Sequence, residues 1–370
     1  MGAGGEGLRR EGGMKPPFRA DQVGSLLRPP GLSKVRHSGL PREELREIEN
    51  QAIREAVKKQ EAIGLEGITD GEFRRDWWHL DFLSQLGGVT LKEMTGPKFG
   101  GTEEQPPIPT VTGKIEYRNK IMVGDFAFLK EATKRTAKMT IPSPSMLHMR
   151  PGRAGISREA YPDLAEFWAD SAAAYRAAIA AFAKAGCTYL QLDDTSFAYL
   201  CDPRMREACS KNGDDPQKLP RIYADTINRA LEGRPAGMTV TMHTCRGNFK
   251  STWVAEGGYE SVAEAMFGAN VDGFFMEFDS ARAGGFEPLR FLPKGKKVVL
   301  GLVTTKSAQL EDKEFIKKRI KEAEKYIPLE NLCLSPQCGF SSTHHGNQLS
   351  QDEQWRKLER VVETAREVWK

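Results

Sequence analysis

The chain has 370 residues, 39% hydrophobic and 28% charged, and its 54 basic and 50 acidic side chains leave a net charge of +4. This composition supplies a large core and excludes a disordered chain, and the scattered basic residues do not indicate a nucleic-acid partner. There is no run of the roughly 20 apolar residues needed to span a bilayer and no apolar signal core, and six cysteines are too few for a disulfide framework, so a cytoplasmic protein without membrane partners is expected.

Residues 1–13, rich in glycine, read as a disordered arm. From about Pro16 onward, short apolar runs, polar tips and helical stretches alternate, the pattern of βαβ units. The first tip is Val23-Gly24-Ser25, followed by a helix carrying Leu45, Ile48, Ala52, Ala56 and Ile63 that stops before Gly64. The second tip is Ile68-Thr69-Asp70-Gly71-Glu72. Residues 88–134 then interrupt the pattern and read as an insertion over a barrel mouth, with a hairpin predicted around Val111-Thr112-Gly113-Lys114-Ile115. The third tip is Met139-Thr140-Ile141-Pro142-Ser143, and an alanine-rich helix from Leu164 to Ala185 stops at Gly186. Further tips follow at Leu190 to Asp194, Val240 to Cys245, Phe274 to Glu277 and Val299 to Val303. After a helix bearing Phe315, Ile316, Ile320, Ala323 and Ile327 comes the eighth, Leu332 to Cys338, and the last helix opens with a capping box, Ser350 to Glu353. Eight such units predict an α/β chain of one (β/α)8 TIM barrel over residues 14–370, with its active site at the C-terminal ends of the strands.

His243 and Cys245 are one residue apart at the end of a strand, so both side chains project to one face. Zinc prefers nitrogen and sulfur in a tetrahedral array; Cys338 offers a third ligand from another strand tip, and Glu277 an oxygen. One position, or one exchanged with Glu277, is then left for a substrate thiolate. Singly, each Cys or His is more often a core residue, and Cys187, Cys201, Cys209 and Cys333 are read as thiols without a metal role. Jointly, at three strand tips, the set reads as a metal site. A free thiol has a pKa near ~8.5 and its thiolate is the nucleophile, so a metal that deprotonates it makes sulfur alkylation possible at neutral pH.

The segments Asp21-Gln22-Val23-Gly24-Ser25, Asp70-Gly71-Glu72-Phe73-Arg74-Arg75, Gln191-Leu192-Asp193-Asp194, Met242-His243-Thr244-Cys245, Met276-Glu277 and Ser335-Pro336-Gln337-Cys338-Gly339 resemble the catalytic barrel of cobalamin-independent methionine synthase and its short single-barrel relatives. The likeness runs from about Phe18 to the C-terminus. It implies a zinc-dependent methyltransferase of methionine biosynthesis in which His243, Cys245, Glu277 and Cys338 bind zinc. It also implies that Ser25, Glu72 and Asp193 hold the amino-acid part of homocysteine, with Asp193 counted among the catalytic residues. The family's catalytic-acid histidine has no counterpart within Val303-Thr304-Thr305-Lys306-Ser307, where Lys306 is the nearest protic group. The full-length enzymes carry an additional N-terminal barrel that helps hold a polyglutamyl folate, for which this sequence has no room. The methyl donor is therefore open between methyl-tetrahydrofolate, a methyl-corrinoid protein and a simpler S-methyl compound. Two other readings remain: a thiol alkyltransferase resembling the epoxyalkane:coenzyme M transferases, and a noncatalytic barrel with a structural zinc.

Overall fold

Apolar β-branched runs between glycine-bearing tips form strands. The computed structural model describes residues 15–93 and 106–370, so the expected arm over residues 1–13 lies outside the described residues. The strands are β1 (Gly67–Ile68), β2 (Gly87–Lys92), β3 (Ile108–Glu116), β4 (Thr136–Pro142), β5 (Tyr189–Asp194), β6 (Thr239–Thr244), β7 (Gly273–Glu277), β8 (Lys297–Val303) and β9 (Leu332–Pro336). Among the described residues, β1-β4-β5-β6-β7-β8-β9 form a curled, seven-stranded sheet in that order, parallel throughout. Parallel neighbours need crossovers, and helices supply most of them.

The predicted helices are present. Arg42–Ile63 ends at Gly64, whose φ of 98° a residue with a Cβ adopts only at a cost. Leu164–Lys184 is capped by the Asp163 side chain, Lys313–Glu324 by that of Asp312, and Gln351–Val368 by the complete Ser350/Glu353 box. Ile327 falls outside its helix. The helices bury their apolar stripes on the outer face of the sheet in one large core.

Two local expectations are corrected. Val111 to Ile115 is no hairpin turn: it lies within β3, which pairs antiparallel with β2 across a bulge at Gly87/Val89. Gly88 and Gly113 face each other there, and a Cβ on Gly88 would overlap the carbonyl oxygens of Gly113 and Lys114, so these glycines serve close backbone approach and not a bend. Val23-Gly24-Ser25 makes no regular strand either. Residues 19–26 run between the edge strands, with single parallel bridges from Ala20 to Leu334 and from Ser25 to Gly71. The carbonyls of residues 22–24 instead accept from side chains: Gln22 from Lys138 Nζ, Val23 from Gln191 Nε2 at 2.7 Å, and Gly24 from Thr69 Oγ1 at 2.6 Å. These carbonyls are satisfied by side chains, and backbone bonds to the edge strands are confined to the two ends of the segment, at residues 19–21 with Leu334 and at Leu26 with Gly71.

That inner face is layered. Alternation points Lys138 and Thr140 of β4, Tyr189, Gln191 and Asp193 of β5, His243 of β6, and Phe275 and Glu277 of β7 inward. Near the strand starts, Lys138 meets Asp21 at 3.2 Å. Above it, Val23, Phe275, Val299 and Cys333 form a small apolar cluster separate from the outer core. Asp193, His243 and Glu277 stand at the C-terminal ends, where β5 and β6 place Asp193 opposite His243.

Candidate metal and substrate site

His243, Cys245, Glu277 and Cys338 converge: one ligand atom from each lies within 4.8 Å of all the others, and all four residues are buried. The sulfurs of Cys245 and Cys338 are 3.4 Å apart and not bonded. Two sulfur ligands of one tetrahedral zinc stand roughly 3.7 Å apart, so the pair is close to that spacing. Neither ring nitrogen of His243 has a hydrogen-bond partner among the described residues. Such buried orphan groups cost about 1–3 kcal/mol each, and a metal bond would relieve one of them. The contact between the two sulfurs drives their thiols apart, holding Cys338 well below the usual thiol range and Cys245 well above it. The donor set and its spacing fit a zinc ion.

Glu277 is aimed by its neighbours. Its Oε1 accepts from the Arg246 backbone N–H at 2.8 Å, and its Oε2 from Gln337 Nε2 at 3.2 Å, with Arg282 Nη2 at 3.5 Å. Outer contacts of this kind fix a ligating carboxylate's orientation. Arg246 is fully buried with its guanidinium 4.4 Å from the Tyr259 ring centroid.

Glu72 sits just past β1 in a turn where Asp70 Oδ1 accepts from the Glu72 N–H at 2.8 Å. Its φ of 60° is left-handed, a strained conformation for a residue with a side chain and one that recurs at functional sites. Thr140 Oγ1 donates to Glu72 Oε1 at 2.8 Å and Arg75 Nη1 lies 3.6 Å from the same oxygen, so the ion pair with Arg75 exists beside any binding role. Arg74 turns away toward Glu49 and Asp125. Asp193 Oδ1 accepts from Gln191 Nε2 at 2.7 Å. Burial raises both carboxyls, and the charge of Glu72 adds to the effect on Asp193, which reaches about 7. Two carboxyls that resist ionising together form a pocket for a cation. Ser25 Oγ accepts from the Ser341 N–H at 3.3 Å, and a Cβ at Gly339 would overlap that oxygen, so the glycine after Cys338 lets the serine approach.

A cavity of about 320 Å³ joins these parts, lined by Ser25, Glu72, Asp193, His243, Cys245 and Cys338. Lys306, the sequence's candidate acid, is not in its wall. Its ammonium donates to the Gly247 carbonyl at 3.3 Å, Asn248 Oδ1 at 3.3 Å and the Thr252 carbonyl at 3.1 Å, clasping the loop after β6 that does form the wall. Trp77 and Trp78 face the cavity along with Phe249 and Trp253. Sequence reasoning missed His79, also in the wall, which is 2% exposed with both ring nitrogens unpartnered among the described residues. Only its place seven residues after Glu72, beyond the same tip, hinted at it.

Among known proteins, the Bacillus subtilis (strain 168) protein named "Uncharacterized protein YxjH" is 48% identical over 98% of both chains. A crystal structure of a Listeria monocytogenes protein, provisionally named a vitamin-B12 independent methionine synthase, is 42% identical, covers 97% of this chain and 100% of its own, and has a TM-score of 0.78. The fold also matches a B12-independent methionine synthase from Shewanella sp. W3-18-1 in complex with selenomethionine, at 21% identity and a TM-score of 0.74 over 95% of this chain and 97% of that one. A family model described as the catalytic domain of cobalamin-independent synthase matches residues 29–367. With that match over most of its length, the chain belongs to the cobalamin-independent synthase family.

Proposed function

We propose that this chain is a cytoplasmic, zinc-dependent thiol S-methyltransferase, a single (β/α)8 barrel over residues 14–370 in which residues 19–26 act as the eighth stave. The acceptor is homocysteine and the product methionine. The observation that carries the reading is the convergence of His243, Cys245, Glu277 and Cys338 within 4.8 Å, beside a cavity that also holds Ser25, Glu72 and Asp193. The selenomethionine of the Shewanella relative supports a ligand of methionine's shape.

His243, Cys245, Glu277 and Cys338 would hold the zinc, which when bound supplies one service, keeping the substrate sulfur deprotonated at neutral pH. The chain's own side chains do the rest. Glu72 and Asp193 take the substrate ammonium, whose charge relieves their mutual repulsion, while the Ser25 hydroxyl and a backbone N–H take the carboxylate. A thiol held at its amino-acid end points in one direction, and this orientation is worth much of the barrier to an in-line displacement at a methyl carbon. Lys306 holds the loop over residues 247–252 that walls the cavity, and would act as an acid only by releasing that loop. The methyl donor is methyl-tetrahydrofolate or a methyl-corrinoid protein.

The test is a panel of zinc-loaded protein, several thiols and both donors, followed by loss of free thiol and a mass gain of one methyl. Turnover with homocysteine is expected. A protein whose zinc keeps the same sulfur coordination in X-ray absorption whether or not thiols are added would instead carry a closed structural site.

A further inference from the structure

We propose that His79 recognises the methyl donor by hydrogen-bonding an uncharged polar edge of it. This rests on the methyltransferase reading above and deepens it. His79 is buried in the wall of the same cavity as Cys245, Cys338 and the carboxylate pair, yet neither of its ring nitrogens has a partner among the described residues. A buried polar ring with no protein partner is an interaction left for a ligand. Its nearest aromatic neighbour, Trp78 at 4.7 Å between centroids, packs on the ring without satisfying either nitrogen.

The acceptor does not need this group. An amino-acid thiol finds its complements in Ser25, Glu72, Asp193 and the sulfur ligands, so His79 is left for the second reactant. Burial and the charge of Arg150 hold the imidazole well below its usual range, so at neutral pH it is uncharged and offers one N–H and one lone pair. A donor with an uncharged, hydrogen-bonding edge fits the imidazole and the surrounding Trp77, Trp78 and Phe249.

The experiment measures donor binding by tryptophan fluorescence on zinc-loaded protein whose amino-acid pocket is filled with methionine, with 5-methyltetrahydrofolate as the probe that has an uncharged polar edge and S-methylmethionine as the probe without one. Wild type is expected to bind the first and not the second. His79→Phe keeps the bulk and removes both hydrogen-bonding atoms, and should weaken 5-methyltetrahydrofolate binding at least tenfold. His79→Asn restores a donor and an acceptor and should recover most of it. Homocysteine binding, followed by calorimetry, and zinc content should stay at wild-type values in both variants, and donor KM should rise while homocysteine KM does not. If His79→Phe fails to fold, His79→Ala is measured in its place against the same Asn variant. Wild-type affinity in the Phe or Ala variant, failure of Asn to recover binding, preference for S-methylmethionine or binding of neither probe overturns the proposal. Failure of the methyltransferase reading shows separately, as wild-type protein that binds no homocysteine.

Discussion

Asp21 and Lys138, near the start of the strands, and Glu72 and Asp193, at their ends, are similarly buried on the same inner face of the sheet, yet they are finished to different degrees. The Asp21 carboxylate accepts from the Phe18 N–H at 3.1 Å, the Gln22 N–H at 2.8 Å, Tyr189 OH at 2.7 Å and Lys138 Nζ at 3.2 Å. Lys138 also donates to the Gln22 carbonyl and lies 4.0 Å from the Phe275 ring centroid. At the other end, among the described residues, the hydrogen bond and the ion pair of Glu72 both fall on one oxygen, and Asp193 accepts from Gln191 alone. A completed buried network holds structure together, whereas an incomplete one keeps capacity for a ligand. The apolar cluster of Val23, Phe275, Val299 and Cys333 lies between them.

The contrast is broken most severely at the metal ligands. Cys338→Ala should abolish both stoichiometric zinc, read by elemental analysis, and turnover; a variant that keeps either contradicts the site. Next is the lower pair: Lys138→Met strands a buried Asp21 and should cost about 3–5 kcal/mol in urea unfolding, while Asp21→Asn combined with it should recover part of the loss. Folded protein of that double variant should still bind homocysteine. Gln337→Ala removes a support of Glu277 and should weaken zinc affinity by roughly 10–100-fold with little change in melting temperature. A smaller effect sharpens the upper pair. The folded-state pKa of Asp193 is raised to about 7, so the stability it contributes is fully present below the ordinary carboxylate range and lost as pH rises through 7. Metal-free protein should therefore lose stability between roughly pH 4 and pH 7, and Asp193→Asn should flatten that slope in pH-dependent unfolding.

Much of this was legible in the sequence, for physical reasons. Helices announced themselves through periodicity and caps, and the spacing of His243 and Cys245 on an alternating strand already placed both on one face. The first tip was misread because extended backbone next to glycine resembles a strand, while the side chains that satisfy its carbonyls come from residues 69, 138 and 191. Gly113 looked like a turn for a similar reason, since a glycine needed for close approach is indistinguishable in sequence from one needed for a bend. Lys306 was identified as the nearest protic residue, but only three-dimensional contacts reveal that its ammonium is engaged by the loop after β6. His79 carries no motif at all; its interest lies in what does not touch it.

The way residues 19–26 are held has a consequence for how this segment responds to change elsewhere. A segment pinned by side chains and isolated bridges answers to the identity of Thr69, Lys138 and Gln191, so trimming any one of these should loosen Ser25 without touching a neighbouring ladder. Amide exchange at Val23 to Leu26 should accordingly outpace exchange in the middle of β5, making this segment the first to part from the sheet.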